Sequence, residues 1–178
     1  LQRRRQRQMC IRDRMKTNQF LEAMWSGKVV NITENRQALH PALRGSRDSF
    51  FPKDIINEVT KQKKQMLKIA EGVRNGNIKS HSGKKYTSVL AIGIGGSDLG
   101  PRMSVKALTP FKSNIDVRFV SNIDPSDLIN ATADLDPSRT LIIVSSKTFT
   151  TIETLTNAKA AFNWLAKNIG ENGAKNQQ

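Results

Sequence analysis

Cysteine is nearly absent: Cys10 is the only one in 178 residues, so no internal disulfide can form. That usage fits a reducing compartment, and a cytoplasmic protein is expected. Aromatics are scarce, with one tyrosine in the chain, so the stacking platform of a single-strand nucleic-acid binder is missing. No apolar run approaches the ~20 residues of a membrane span. What remains, 37% hydrophobic and 25% charged, is the composition of an ordinary globular protein. The length suffices for one domain with a proper core and is marginal for two.

Acidic residues are few as well, 15 against 29 basic ones, for a net charge of +14. Such an excess points first to nucleic acid, but its distribution argues otherwise. Arginines 3, 4, 5, 7, 12 and 14 crowd the opening stretch LQRRRQRQMCIRDR against one Asp13. That stretch has no apolar core for a secretory signal, and it lacks the serines and amphipathic spacing of a transit peptide. Residues 1–14 are expected to be a non-native basic tail resembling a translated sequencing adaptor. The other positive charges are spread along helix faces, so no nucleic-acid partner is expected.

Residues 15–83 read as a helical lead-in. Phe20, Leu21, Met24 and Trp25 form a short apolar face that stops at Gly27, a helix end. The run Asn31–Arg36 reads as a turn in which Thr33 caps a second short helix, passing through Leu39 and His40 and disturbed at Pro41. Residues 44–53 are a loop. A long helix follows from Lys53 to about Asn75, on the spacing of Ile55, Val59, Met66, Ile69, Ala70 and Val73, with Gly76 ending it. Lys61, Lys63, Lys64 and Lys68 read as its solvated face rather than a binding patch.

Residues 84–170 change pattern. The runs Val89–Ile92, Val117–Val120 and Leu141–Val144 are each followed by a helix-compatible segment. Alternation of this kind signals parallel strands in βαβ units. The expected fold class is α/β, a doubly wound parallel sheet, truncated at about residue 170 and followed by a polar tail, 171–178. Ligands in such sheets sit outside the carboxyl ends of the strands.

The first strand leads into Gly93-Ile94-Gly95-Gly96-Ser97-Asp98-Leu99-Gly100-Pro101. Glycines let the backbone turn sharply and approach a ligand. Pro101 belongs in a first helical turn, so the helix is expected to start near Ser97 or Asp98, with its free amides and dipole making an anion site. A dinucleotide fingerprint fails because Asp98 stands where its last glycine is needed, and a P-loop fails because Pro101 and Arg102 follow Gly100.

The third junction, Ser145-Ser146-Lys147-Thr148-Phe149-Thr150-Thr151-Ile152-Glu153, is richer. Thr150 and Glu153 have capping-box spacing, and Ile152, Leu155, Phe162 and Leu165 are expected to form the buried stripe of the helix, with Ala158 and Ala161 filling in. Ser146, Thr148 and Thr151 offer hydroxyls and Lys147 a charge. That donor set suits a phosphate dianion and holds nothing for a base or sugar ring. At the middle junction, Asp124 before Pro125 reads as a turn residue rather than a ribose ligand, with a helix starting near Ser126.

The segments IGIGGSDLGP (92–101), FVSNID (119–124) and SKTFTTIE (146–153), in this order, resemble the phosphoglucose isomerase family. The resemblance runs from about residue 20 to about residue 167 and includes the lead-in pieces 24–31, 33–36 and 38–44. It implies a flavodoxin-like sugar-isomerase sandwich and interconversion of glucose 6-phosphate and fructose 6-phosphate. It also implies a homodimer and no metal or cofactor. By motif, the substrate's phosphate falls to Gly96, Ser97, Ser146, Lys147, Thr148, Thr150 and Thr151, with Phe149 as loop backbone. The family's glutamate base, arginine, histidine and lysine have no counterparts here. His40 is expected to pack beside Leu39, His81 to be a surface turn residue, and Glu153 to serve in capping. The chain as it stands is therefore expected to turn over no substrate and to expose apolar surface. The alternatives are a phosphosugar-binding domain without isomerase activity, against which the lead-in argues, and a nucleotide-binding module using Gly93–Gly100.

Overall fold

The computed structural model describes residues 6, 11, 13–44, 51–111 and 114–177. Most of the basic stretch 1–14 and residues 45–50 of the expected loop lie outside them. The chain divides into two compact units, 1–67 and 68–178, sixteen residues earlier than the boundary expected at 83.

In the first unit, helix α1 (Thr17–Trp25) ends as expected. Gly27, at φ +71°, donates its N–H to Met24 O, and Lys28 donates to Ala23 O, the paired bonds of a Schellman stop. The next segment corrects the sequence reading. No helix starts at Thr33; β1 (Val29–Asn31) and β2 (Arg36–Gln37) pair as an antiparallel hairpin. Asn31 Oδ1 accepts from Thr33 Oγ1 at 2.8 Å and from Glu34 N at 3.3 Å. The threonine hydroxyl is thus used to close an Asx-type turn rather than to cap a helix, and Asn35 takes a left-handed φ of 51°, which asparagine tolerates. Pro41 sits inside a single 3-10 turn, His40–Arg44, where its missing N–H costs nothing. His40 is exposed there rather than packed beside Leu39. Trp25 and Phe51 meet edge-to-face at 5.5 Å.

Helix α2 (Lys53–Asn75) has the expected bounds, and Gly76 follows at φ +81°. Lys61, Lys63, Lys64 and Lys68 are exposed, and so are Met66, Leu67 and Ile69. The last two turns of α2 belong to the second unit, where Gly72 and Val73 are buried and Gly72 leaves room for Ile78.

The second unit is built on β3 (Ser88–Ile92), β4 (Asp116–Val120) and β5 (Thr140–Val144), a parallel sheet in the order β4-β3-β5. Ile92 pairs with Val120 on one side and Val144 on the other. Helices α3 (Gly96–Ala107), α4 (Pro125–Thr132) and α5 (Ile152–Lys175) follow the three strands. Leu90, Ile92, Val120, Leu128, Ile142, Ala161, Leu165 and Ala174 form the core. Among the described residues no helix is long and apolar enough to cross a membrane.

Two expectations about α5 are corrected. Its buried stripe is Thr154, Asn157, Ala158, Ala161 and Leu165, while Ile152 and Leu155 are 72% and 42% exposed. At about 100° per residue, Ile152 points some 200° away from Thr154. Small residues hold the face that meets the sheet. Residues 171–177 are also no free polar tail: the helix is kinked at Gly170 and continues to Lys175. Gln177 is fully buried; Nε2 donates to Thr140 O at 2.8 Å and Pro137 O at 2.9 Å, and Oε1 accepts from His81 N at 3.2 Å. Ile142 N donates to the Gln177 carbonyl. One polar side chain satisfies three backbone groups, so its polarity does not mean exposure.

Helix α4 carries its own cap. Asp124 Oδ1 accepts from Ser126 N at 2.8 Å and Ser126 Oγ at 2.7 Å. These two bonds, the hydroxyl's first, hold the Asp124 carboxyl below the usual carboxylate range. The resulting stability is present above the unfolded-state value and is lost as pH falls through the lowered folded value. Asp124→Ala is expected to raise amide exchange rates in α4 about three-fold at neutral pH. In acid, where the parent's carboxyl is protonated, the two proteins should converge; hydrogen-exchange mass spectrometry across the pH series checks this.

Candidate functional site at the sheet's switch point

Strand β3 is central, and the chain leaves it first for β4 on one side and then for β5 on the other. The order therefore reverses between β3 and β5, and the crevice outside their carboxyl ends is the natural ligand position of such a sheet. Ser145 N donates to Ile92 O at 2.8 Å. The loops after β3 and β5 thus start side by side, about 4.8 Å apart as neighbouring strands are.

The first loop is shaped by two glycines. Gly95 sits at φ +57°, ψ −120°, a conformation essentially closed to residues with a Cβ. Gly93 is buried where a Cβ would stand 2.9 Å from both Cβ and the carbonyl oxygen of Ser97. Helix α3 begins at Gly96, slightly earlier than Pro101 suggested, and Pro101 falls sixth in it. The missing Pro101 N–H leaves the Ser97 carbonyl without its i+4 donor. Gly95, the N-cap, has no side chain to cap the first turn. Gly96 is exposed and Ser97 half-buried beside it.

In the second loop, Phe149 N donates to Ser146 Oγ at 3.0 Å, and the Thr148 and Thr150 hydroxyls pair at 2.7 Å. Phe149 turns the chain at φ +53° with its ring largely exposed, so it acts here through its backbone. The expected Thr150–Glu153 capping box does not form. The Thr150 hydroxyl is engaged by Thr148 instead, and the N-cap is Thr151, which makes no side-chain cap bond. Ser146, Thr148 and Thr151 are half-buried, and Lys147 is exposed. Thr154, in the first turn of α5, has its hydroxyl buried with no hydrogen-bond partner among the described residues.

The three junctions thus differ. The helices flanking the switch point start without side-chain caps, leaving a positive dipole end for an outside acceptor, although in α3 the Ser97 and Asp98 amides already donate to Ile94 O and Gly95 O, each at 3.1 Å. The helix after β4 is closed by Asp124, which supports the turn-residue reading over a ribose ligand. Asp127 Oδ2 adds to that closure, accepting from Ser121 N at 3.0 Å and Asn122 N at 2.9 Å, and Asn157 Nδ2 donates to Asn122 O. The sequence marks Asp127 only as part of a helix start and gives Asn157 no role; the closure of this loop by both follows from the fold. His81 lies in a turn as expected, and Glu153 is the second residue of α5. Among the described residues no cluster of His, Cys, Asp or Glu could hold a metal ion.

The family model described as phosphoglucose isomerase matches residues 4–178. The chain belongs to the phosphoglucose isomerase family. Within that family it is 49% identical over 155 residues to the glucose-6-phosphate isomerase of Frankia casuarinae, matching 85% of this chain and 28% of the relative. It is 48% identical over 154 residues to that of Caulobacter sp. strain K31, matching 85% of this chain and 29% of the relative. The crystal structure of a glucose-6-phosphate isomerase from Chlamydia trachomatis superposes with a TM-score of 0.69 at 29% identity, covering 92% of this chain and 32% of that one. This chain therefore spans less than a third of the curated relatives it matches. The likeness agrees with the α/β parallel-sheet fold expected from sequence.

Proposed function

We propose that this chain is the phosphate-holding part of an isomerase that interconverts glucose 6-phosphate and fructose 6-phosphate. The observation that carries the reading is the pair of uncapped helix starts, α3 and α5, flanking the β3–β5 switch point. In this reading the phosphate is held there by the backbone of Gly96 and Ser97 and by the side chains of Ser146, Lys147, Thr148, Thr150 and Thr151, with Phe149 as loop backbone. A phosphate dianion there takes amide, hydroxyl and ammonium donors at once, which fixes the sugar's position without reacting with it. Proton transfer between C1 and C2 needs an acid–base residue, and we assign that role to none in this chain. The working enzyme is then a dimer of longer chains, cytoplasmic and free of cofactor.

Titrating fructose 6-phosphate into the 178-residue protein by calorimetry tests the reading. Saturable binding that inorganic phosphate competes away is expected, with a coupled dehydrogenase assay showing no turnover. Binding of NAD or ATP in place of the sugar phosphate would overturn it. Lys147→Ala is expected to weaken sugar-phosphate binding about ten-fold, the loss of one charge-assisted contact.

A further inference from the structure

The first turn of α3 holds a feature that the phosphate reading leaves unexplained. Asp98 is a carboxylate with only 6% of its side chain exposed, two residues beyond Gly96 and so about 3 Å further along the helix axis. A buried negative charge there competes with any anion for the same helix terminus and repels it. One turn on, Arg102 meets it. Arg102 Nε lies 3.0 and 3.1 Å from the two Asp98 oxygens, and Nη2 lies 2.8 Å from Oδ1. Nη2 also donates to Ser121 Oγ at 3.2 Å, and the guanidinium stands 5.1 Å from the centre of the Phe119 ring. Arg102 thus joins the first turn of α3 to the carboxyl end of β4 by a carboxylate, a hydroxyl and an aromatic face.

We infer that Arg102 is a positioning residue for the phosphate site: by neutralising Asp98 and anchoring it to β4, it leaves the start of α3 open to an anion. This rests on the phosphate reading above. A lone arginine aimed at the ligand would act by attraction; here the cation is consumed by the carboxylate, and its effect on an anion passes through Asp98. An exposed i,i+4 pair would contribute little, but here the carboxylate is buried while the Arg102 side chain is 32% exposed, and removing the arginine leaves that buried charge uncompensated.

The test titrates fructose 6-phosphate, and separately inorganic phosphate, into the 178-residue protein and four variants, each with its melting temperature recorded. Arg102→Met is expected to weaken binding about ten-fold, and Arg102→Lys to recover part of that loss. Removing both charges in Asp98→Asn/Arg102→Met is expected to return affinity to within about three-fold of the parent. A role limited to holding the fold predicts the reverse, the double variant binding no better than the single. Asp98→Asn alone keeps the guanidinium and its contacts to Ser121 and Phe119, and it is expected to raise affinity about three-fold. Unchanged binding in Arg102→Met, no rescue in the double variant, or weaker binding in Asp98→Asn each overturns the inference and leaves the site reading standing. Failure of the parent to bind either ligand overturns the site reading, and the inference with it.

Discussion

Alanine at Gly93 is expected to reduce fructose 6-phosphate affinity by about ten- to a hundred-fold while lowering stability by about 1–3 kcal/mol. The added methyl would stand 2.9 Å from the Ser97 carbonyl oxygen and 3.1 Å from its carbonyl carbon. These are backbone atoms of the first helical turn, so no side chain can swing away to relieve the contact. The start of α3 must move as a body, and Gly96 and Ser97 move with it. Gly100→Ala is the control: it lies in the same helix, and a Cβ there meets nothing within 4 Å. It is expected to leave binding unchanged and to add about 0.5–1 kcal/mol through helix propensity. Calorimetry and urea melts on the two variants separate a local effect at the strand–helix crossing from a general intolerance of α3 to change. Equal behaviour of the two would remove the steric account.

The parts of this chain legible in its sequence are those decided by neighbours along the chain. Val89–Ile92, Val117–Val120 and Leu141–Val144 are short apolar runs bounded by turn residues, and each became a strand with one residue added at its start. Gly27 and Gly76 ended helices because left-handed backbone suits glycine. The loops 93–97 and 145–151 stood out because glycines and hydroxyls cluster at strand ends. What stayed hidden depends on contacts across the fold. Thr33 and Thr150 both had the sequence context of helix caps, yet each hydroxyl is taken by a nearby residue, Asn31 and Thr148. Gln177 reads as solvated polar tail until the fold brings it to the Thr140 carbonyl, 37 residues away in sequence. The Asp98–Arg102 pair has ordinary helical spacing, and only the packing of α3 on β4 reveals that the aspartate is buried and that Ser121 and Phe119 share the arginine. Strand order is the same kind of fact: no local pattern tells that β5 returns past β3, which is what sets the two loops side by side.

Helix α5 offers the sharpest contrast, because the apolar residues expected to form one stripe divide into two groups. Leu165→Ala is expected to cost about 2–5 kcal/mol, a large part of the 5–15 kcal/mol of a typical domain. Its side chain is fully buried in a cluster with Leu90, Ile92, Val120 and Ile142, so truncation leaves a cavity in the packing between helix and sheet. Leu155→Ala, the same chemical change about three turns earlier in the helix, is expected to cost less than about 1 kcal/mol, since that side chain is 42% exposed. Ile152→Ala should fall at or below it, at 72% exposure. A helix rotated to bury Ile152 and Leu155 would reverse this order and would turn Thr154 and Asn157 away from the sheet. Asn157 provides an independent check, because its amide donates to Asn122 O at 2.8 Å. Asn157→Ala removes the donor and leaves that carbonyl to find water, at an expected cost of about 1–3 kcal/mol. Urea midpoints for the four variants, with unchanged slopes, fix which face of α5 meets the sheet. They thereby fix where its amino end, and the loop before it, stand relative to the crevice between β3 and β5.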